Sequence, residues 1–156
     1  MNARNIIWWV AFLVVSICLQ QLLPGLDVLV IGLIIALQEG KPIQLLWVLP
    51  VLILMQEGMG TLAFGTSLLW YAVVIVLFHV GRWLFEAENF YFVFLLSACL
   101  GTVHFFLIQM MASLQDIVLP LTDLRDESIL QALFIPFAWR LAHLVRKGAL
   151  PHEDPV

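Results

Sequence analysis

Hydrophobic and polar positions along this chain come in blocks. Six apolar runs cover residues 6–23, 26–37, 43–55, 61–85, 90–114 and 129–145. Between them lie Pro24-Gly25, Gln38-Glu39-Gly40-Lys41-Pro42, a turn over 56–60, Glu86-Ala87-Glu88-Asn89 and a polar stretch over 116–128. Glycine, proline and clustered polar residues of this kind punctuate helices. An apolar run of 18 residues rises about 27 Å as a helix, which suits one crossing of a hydrocarbon core about 30 Å thick. The second and third runs are too short to cross upright. They predict a hairpin of short or tilted helices that dips through the membrane, with tilt or local thinning relieving the mismatch. The pattern therefore predicts an all-α bundle of about six transmembrane helices, segments two and three short. It forms one domain over 1–147, with a polar tail over 148–156.

Composition supports a membrane protein and excludes other classes. Residues are 63% hydrophobic and 12% charged, with mean hydropathy +1.03. A soluble domain is nearer half apolar and a quarter charged. No sizeable extramembrane module fits, so any chemistry belongs in the bilayer or at its surfaces. No basic surface for nucleic acid is present. Trp8 and Trp9 open the first run, where indoles favour the membrane interface. That run lacks a small-x-small cleavage site, and Ile17 is too large for a lipoprotein signal before Cys18; it reads as a retained helix. Cys18 and Cys99 sit inside apolar runs without CxxC or metal-ligand spacing and read as small buried hydrophobes.

Net charge is −4, but membrane orientation follows Lys and Arg. With the N-terminus in the cytoplasm, Arg4, Lys41, Arg82, Arg140, Arg146 and Lys147 fall on the cytoplasmic side and only Arg125 outside. Both termini are then cytoplasmic, and Asp27, Glu57 and the acidic loop over 116–127 are external.

The stretch 50–65 departs most from its apolar surroundings. It holds Pro50, the pair Gln56-Glu57, and Gly58, Gly60 and Gly65. Proline removes a helix donor, and an acidic side chain near hydrocarbon is a functional candidate by default. The bland alternative is a surface turn with Glu57 hydrated. A leucine at Gly58 or Gly60 is expected to disturb packing more than Glu57→Gln does. Small residues recur at i,i+4 as Thr61/Gly65, Ala63/Ser67, Ser97/Gly101 and Ala98/Thr102, a spacing that lets membrane helices approach closely, within this chain or against a partner. His79, His104 and His143 raise the possibility of a haem site, although His79 and His104 differ in depth. No nucleophile motif, P-loop or metal-ligand spacing occurs, so neither catalytic residues nor a cofactor are expected.

The order of these parts resembles the MreD family of bacterial rod-shape-determining membrane proteins, over residues 1–147. The first helix runs from Ile6-Ile7-Trp8-Trp9 to Leu22-Leu23-Pro24-Gly25-Leu26-Asp27, and two short segments follow around a Gly-Lys-Pro turn. Leu52 to Gly65 is similar to the family's Leu-Asp-x-x-Ser/Gly-x-x-x-Leu-Gly segment, with Gln56-Glu57 where the family usually has aspartate. Leu133-Phe134-Ile135-Pro136-Phe137-Ala138-Trp139-Arg140 is similar to its last span. The resemblance implies a non-enzymatic scaffold of the cell-wall elongation complex in the bacterial inner membrane. Its implied partners are an MreC-like bitopic protein, an actin-like filament complex, a RodA-type glycosyltransferase and a class B penicillin-binding protein. It also implies a fold like the substrate-binding components of energy-coupling-factor transporters. The partner or packing positions are then Gln56, Glu57, Gly58, Gly60, Gly65, Ser97, Gly101 and Pro136. A substrate-binding component of a small-molecule transporter is the alternative function.

Overall fold

The computed structural model describes residues 3–23, 25–59, 65–117 and 120–149. Within these residues six helices follow one another: α1 (Ala3–Leu22), α2 (Leu29–Glu39), α3 (Pro42–Met59), α4 (Thr66–Leu84), α5 (Phe90–Leu114) and α6 (Leu121–Ala149). All but α2 are long and apolar enough to cross a membrane, as a multi-pass membrane protein requires.

Local chemistry sets most boundaries. Gly40 ends α2 in the left-handed region at φ 61°, which glycine enters without a Cβ penalty. Pro42 then opens α3, where its missing N–H costs nothing. Asn89 caps α5 by accepting from the Tyr91 amide at 3.0 Å, the usual role of an N-cap side chain.

Two boundaries differ from the sequence expectation. Helix α3 is not short: it continues through Gln56, Glu57 and Gly58 to Met59 and has 18 residues. Pro50 inside it removes one donor without ending it, and the Gln-Glu pair belongs to its last turn. Helix α6 begins at Leu121, eight residues before the apolar run at 129, so most of the expected acidic loop is helical. Leu124, Ser128, Gln131 and Ile135 are buried, at the three- and four-residue spacing of one helix face. Asp123, Arg125 and Asp126 point outward. Charge density masked that period in the sequence.

The centre of the molecule is α2. Leu29 through Leu37 are all buried, as expected of a helix that is apolar all round. Its 11 residues rise only about 16 Å, so it serves as a core that α1, α3, α4 and α6 surround. Helix α5 packs chiefly on α6. A Cβ at Gly101 would stand 2.7 Å from the Ser128 carbonyl oxygen and 2.8 Å from the Ala132 Cβ, so the missing side chain sets this close approach. The Ser97/Gly101 face thus packs within the chain. Ser97 is wholly buried, its hydroxyl donating to the Phe94 carbonyl at 2.7 Å, whereas Ala98 and Thr102 are exposed.

Each end of the bundle carries a cluster of polar side chains. Contacts place Asn5, Glu39, Gln44 and Arg146 at one end, and Gln20, Asp27, Gln56 and Trp70 at the other. Both described chain ends lie at the first.

Cys18 and Cys99 are exposed, which corrects the expectation of buried cysteines: each falls on the outward stripe of its helix. Trp8 and Trp9, near the start of α1, turn inward, at 8% and 1% exposure.

Candidate functional site

Two polar layers cap the buried helix. Asp27 and Glu39 flank it, 12 residues apart in sequence and so about 18 Å apart at the helical rise.

Asp27 lies in the connection between α1 and α2, outside the five long helices, yet is 3% exposed. Its Oδ1 accepts from the Val30 amide at 3.2 Å, the Tyr71 hydroxyl at 3.3 Å and the Gln20 side-chain amide at 3.5 Å. Its Oδ2 accepts from Trp70 Nε1 at 2.8 Å. The Val30 contact caps α2, satisfying an amide that has no partner inside the helix. Gln20 also donates to Gln56 Oε1 at 2.9 Å, which brings α3 into the layer. On its other side Trp70 meets His104 edge-on, with ring centroids 4.9 Å apart. Burial pushes the Asp27 carboxyl up to about 6, against the pull of the Trp70, Val30 and Tyr71 hydrogen bonds.

At the opposite end Glu39 receives both Nε and Nη2 of Arg146, a bidentate pair that suits the planar guanidinium. Gln44 donates to Glu39 at 2.7 Å, Asn5 donates to Gln44 at 3.1 Å and accepts from Arg146 at 2.9 Å. The guanidinium carbon stands 4.3 Å from the Trp8 ring centre and 5.1 Å from that of Trp9, within cation–π range. This contact is why the two indoles face inward. The Arg146 side chain is 4% exposed and that of Glu39 23%. Burial raises the Glu39 carboxyl, but the hydrogen bond and charge of Arg146 outweigh it, so Glu39 titrates below the usual range. Gln38 joins the same end, accepting from Trp139 Nε1 at 2.8 Å and donating to the Ala87 carbonyl.

The residues singled out from sequence fall in several places. Gln56 belongs to the Asp27 layer. Glu57 Oε1 accepts from the Gly65 and Ser67 amides at 3.0 and 2.9 Å, so it caps the start of α4, where an anion also favours the helix dipole. A hydrated surface turn is therefore not what Glu57 makes. Gly58 is exposed, and a Cβ there would meet nothing within 4 Å among the described residues, so it makes no close packing contact within them. Gly60 lies outside the described residues, as do Thr61 and Ala63. Gly65 holds φ 105° before α4, a conformation that L side chains rarely adopt. Gly101 and Ser97 pack on α6, and Pro136 is buried inside α6. The histidines do not converge: His79 is exposed and bonds the Ile75 carbonyl at 2.8 Å, His143 stacks on Trp139, and His104 packs on Trp70, nine residues along α4 from His79. No group of three or more His, Cys, Asp or Glu able to hold a metal ion occurs among the described residues.

Sequence reasoning missed Asp27, Glu39 and Arg146 as partners. One signal was available. A run that is apolar on every face and too short to span must be buried, and the polar residues at its two ends are buried with it. What no local pattern carries is the partners, which lie 43, 44 and 107 residues away.

Comparison of the chain with protein-family models, with curated proteins and with solved structures gives no match.

Proposed function

We propose that this protein is a non-enzymatic scaffold of the bacterial cell-wall elongation complex, seated in the inner membrane with both termini in the cytoplasm. The order of its parts, similar to the MreD family, is the starting point. The observation that carries the proposal is the outward surface of α1 and α3. Only 17% of the apolar window of each is buried in the bundle, against 39% for α5. Side chains join the two helices at three levels: Asn5 to Gln44 at 3.1 Å, Trp9 to Trp47 with ring centroids 5.9 Å apart, and Gln20 to Gln56 at 2.9 Å. Ile6, Val10 and Val14 on α1, and Ile43, Leu46 and Leu54 on α3, remain exposed. Beside lipid, a partner helix binds such a surface by close packing and not by hydrophobic burial. The bitopic MreC-like protein supplies one helix of the required kind.

The orientation rests on charge. Arg4, Lys41, Arg82, Arg146 and Lys147 gather at the end that holds the described chain termini, and positive residues stay cytoplasmic. Single-cysteine variants at Val14 and Leu54, in a background with Cys18 and Cys99 replaced by alanine, test the surface. Cross-links to a co-expressed MreC-like protein, together with loss of rod shape on deletion, are expected. Absence of cross-links at both positions and unchanged cell shape sink the proposal.

A second function, the substrate-binding component of a transporter, is favoured by one observation, the buried polar layer around Asp27. Screening vitamins and metal ions for a rise in melting temperature separates the two, since any ligand that binds only the folded state stabilises it by mass action.

A further inference from the structure

The layer around Asp27 holds more hydrogen-bonding capacity than the protein groups use. Gln131 on α6 is 0% exposed, and neither its Oε1 nor its Nε2 has a partner among the described residues. His104 is 8% exposed, and its Nδ1 has none. Gln20 adds an unpartnered Oε1. Contacts place these atoms at one end of the bundle. His104 packs edge-on against Trp70, whose Nε1 donates to Asp27. Gln131 follows Glu127 by one helical turn on the same face, and the Glu127 side chain lies against Gly25, two residues before Asp27. Gln131 therefore stands at the depth of the first turn of α2.

Buried polar atoms rarely go without a partner, and ordered water serves where protein does not. The unpartnered set is neutral and mixed in sense: a carbonyl oxygen on Gln20, a carbonyl oxygen and an amide on Gln131, an imidazole nitrogen on His104. Water, which donates and accepts, matches it. A metal ion does not, because the Asp27 oxygens already receive N–H and O–H donors. The two oxygens also differ. Oδ1 accepts from the Val30 amide, Tyr71 and Gln20, Oδ2 accepts from Trp70, and the Leu29 amide adds a further hydrogen bond to the carboxyl.

We propose that this layer is a hydrated proton-binding site, in which water bridges Gln131 and His104 to the Asp27 carboxylate. On uptake, a hydronium ion gives its proton to a carboxylate oxygen of Asp27, an O–H bond forms, the carboxylate becomes neutral and a water molecule remains. Release is the reverse, and nothing is oxidised or reduced. The neighbouring titratable groups are Tyr71 from α4, His104 from α5 and Glu127 from α6. The layer's contributions from α1 and α3, Gln20 and Gln56, carry no charge, and Glu57 on α3 is turned to the start of α4. Arg125, at the same end, is exposed and paired with Asp126. The proposal goes beyond the scaffold function and does not depend on it.

Infrared difference spectra of the full chain in phosphatidylcholine nanodiscs, recorded between neutral and acidic pH, test it. The wild type is expected to gain a protonated-carboxyl C=O band that is lost in D27N. In D2O that band shifts at once. Q131L and H104F leave every hydrogen bond to Asp27 in place; they are expected to keep the band and delay its D2O shift. If D27N does not fold, D27E takes its place and is expected to move the band. A spectrum without any band sensitive to Asp27 overturns the proton site. A D2O shift equally fast in wild type, Q131L and H104F overturns the water bridge.

Discussion

Asp27 and Glu39 are carboxylates at opposite ends of one buried helix, and the protein treats them differently. Asp27 stands at the N-terminal end of α2, where the partial positive charge of the helix dipole favours an anion. Neutral donors from Trp70, Tyr71, Gln20 and the Val30 amide serve there, and they offset the cost of burial only in part. Glu39 stands at the C-terminal end, where the dipole opposes a negative charge. It is held by a guanidinium, with Asn5, Gln44 and two indoles around it. The direction of the helix thus decides which buried acid needs a counter-ion and which can be left to neutral hydrogen bonds.

The strongest challenge to this contrast is Arg146→Met. It leaves Glu39 partly buried without its counter-ion, and breaking a buried pair from one side costs roughly 3 kcal/mol or more. Unfolding in detergent should show a large fall in stability, with most of it recovered in R146M/E39M. A fall no greater than that of an exposed ion pair, under about 1 kcal/mol, would mean that Glu39 does not need Arg146 as its counter-ion.

Asp27→Ala is expected to cost less, roughly 1–3 kcal/mol, because it strands the buried Trp70 and Tyr71 donors but leaves no unpaired charge. If it exceeds the loss in R146M, the ordering of the two ends is reversed.

The pH dependence should also have opposite signs at the two ends. Asp27 has its carboxyl raised from 3.8 to about 6, so its contribution is fully present below about 4 and declines as pH rises through 6. Glu39 is lowered, so its contribution is present above its ordinary value of 4.5 and is lost as pH falls below it. Melting temperature in a pH series should therefore peak on the acidic side of neutrality. D27N should remove the decline toward neutral pH, and E39Q the decline toward strong acid; a profile unchanged by either variant disproves the corresponding assignment.

Glu57 sharpens the comparison as a third case. It is an anion at a helix N-terminus with neutral donors, like Asp27, but only half-buried. Glu57→Ala should cost about 1 kcal/mol, the usual worth of an N-terminal cap. Gly58→Leu, one residue on, should change stability by less than about 0.5 kcal/mol, as surface substitutions do. A Gly58→Leu loss larger than that of Glu57→Ala would mean that Gly58 packs closely after all.

Much of the helical framework was legible because it is written in local terms. Apolar runs of spanning length, Gly40-Lys41-Pro42 and Asn89 fix where helices run and stop. The polar start of α6 is hidden in the sequence because Asp123, Arg125 and Asp126 crowd the buried stripe from Leu124 to Ile135. Glu57 stands out in the sequence, but its part as a cap for α4 depends on a return of the chain that residue types alone do not specify. Gly101 was visible as half of a small-residue pair; that α6 and not another protein fills the space is a fact of packing.

By itself, the sequence determined that this chain is all-helical and apolar enough for a membrane, that six segments form, and that the second is too short to span. Those properties follow from composition and from the hydrophobic period within each segment. Only the tertiary structure decided that the short segment is the core, that Trp70 and Tyr71 meet Asp27, and that Arg146 folds back onto Glu39 and the first helix. Such pairs join residues more than forty positions apart, and they arise because burying α2 on every side forces the polar residues at its ends to find partners among the helices that enclose it.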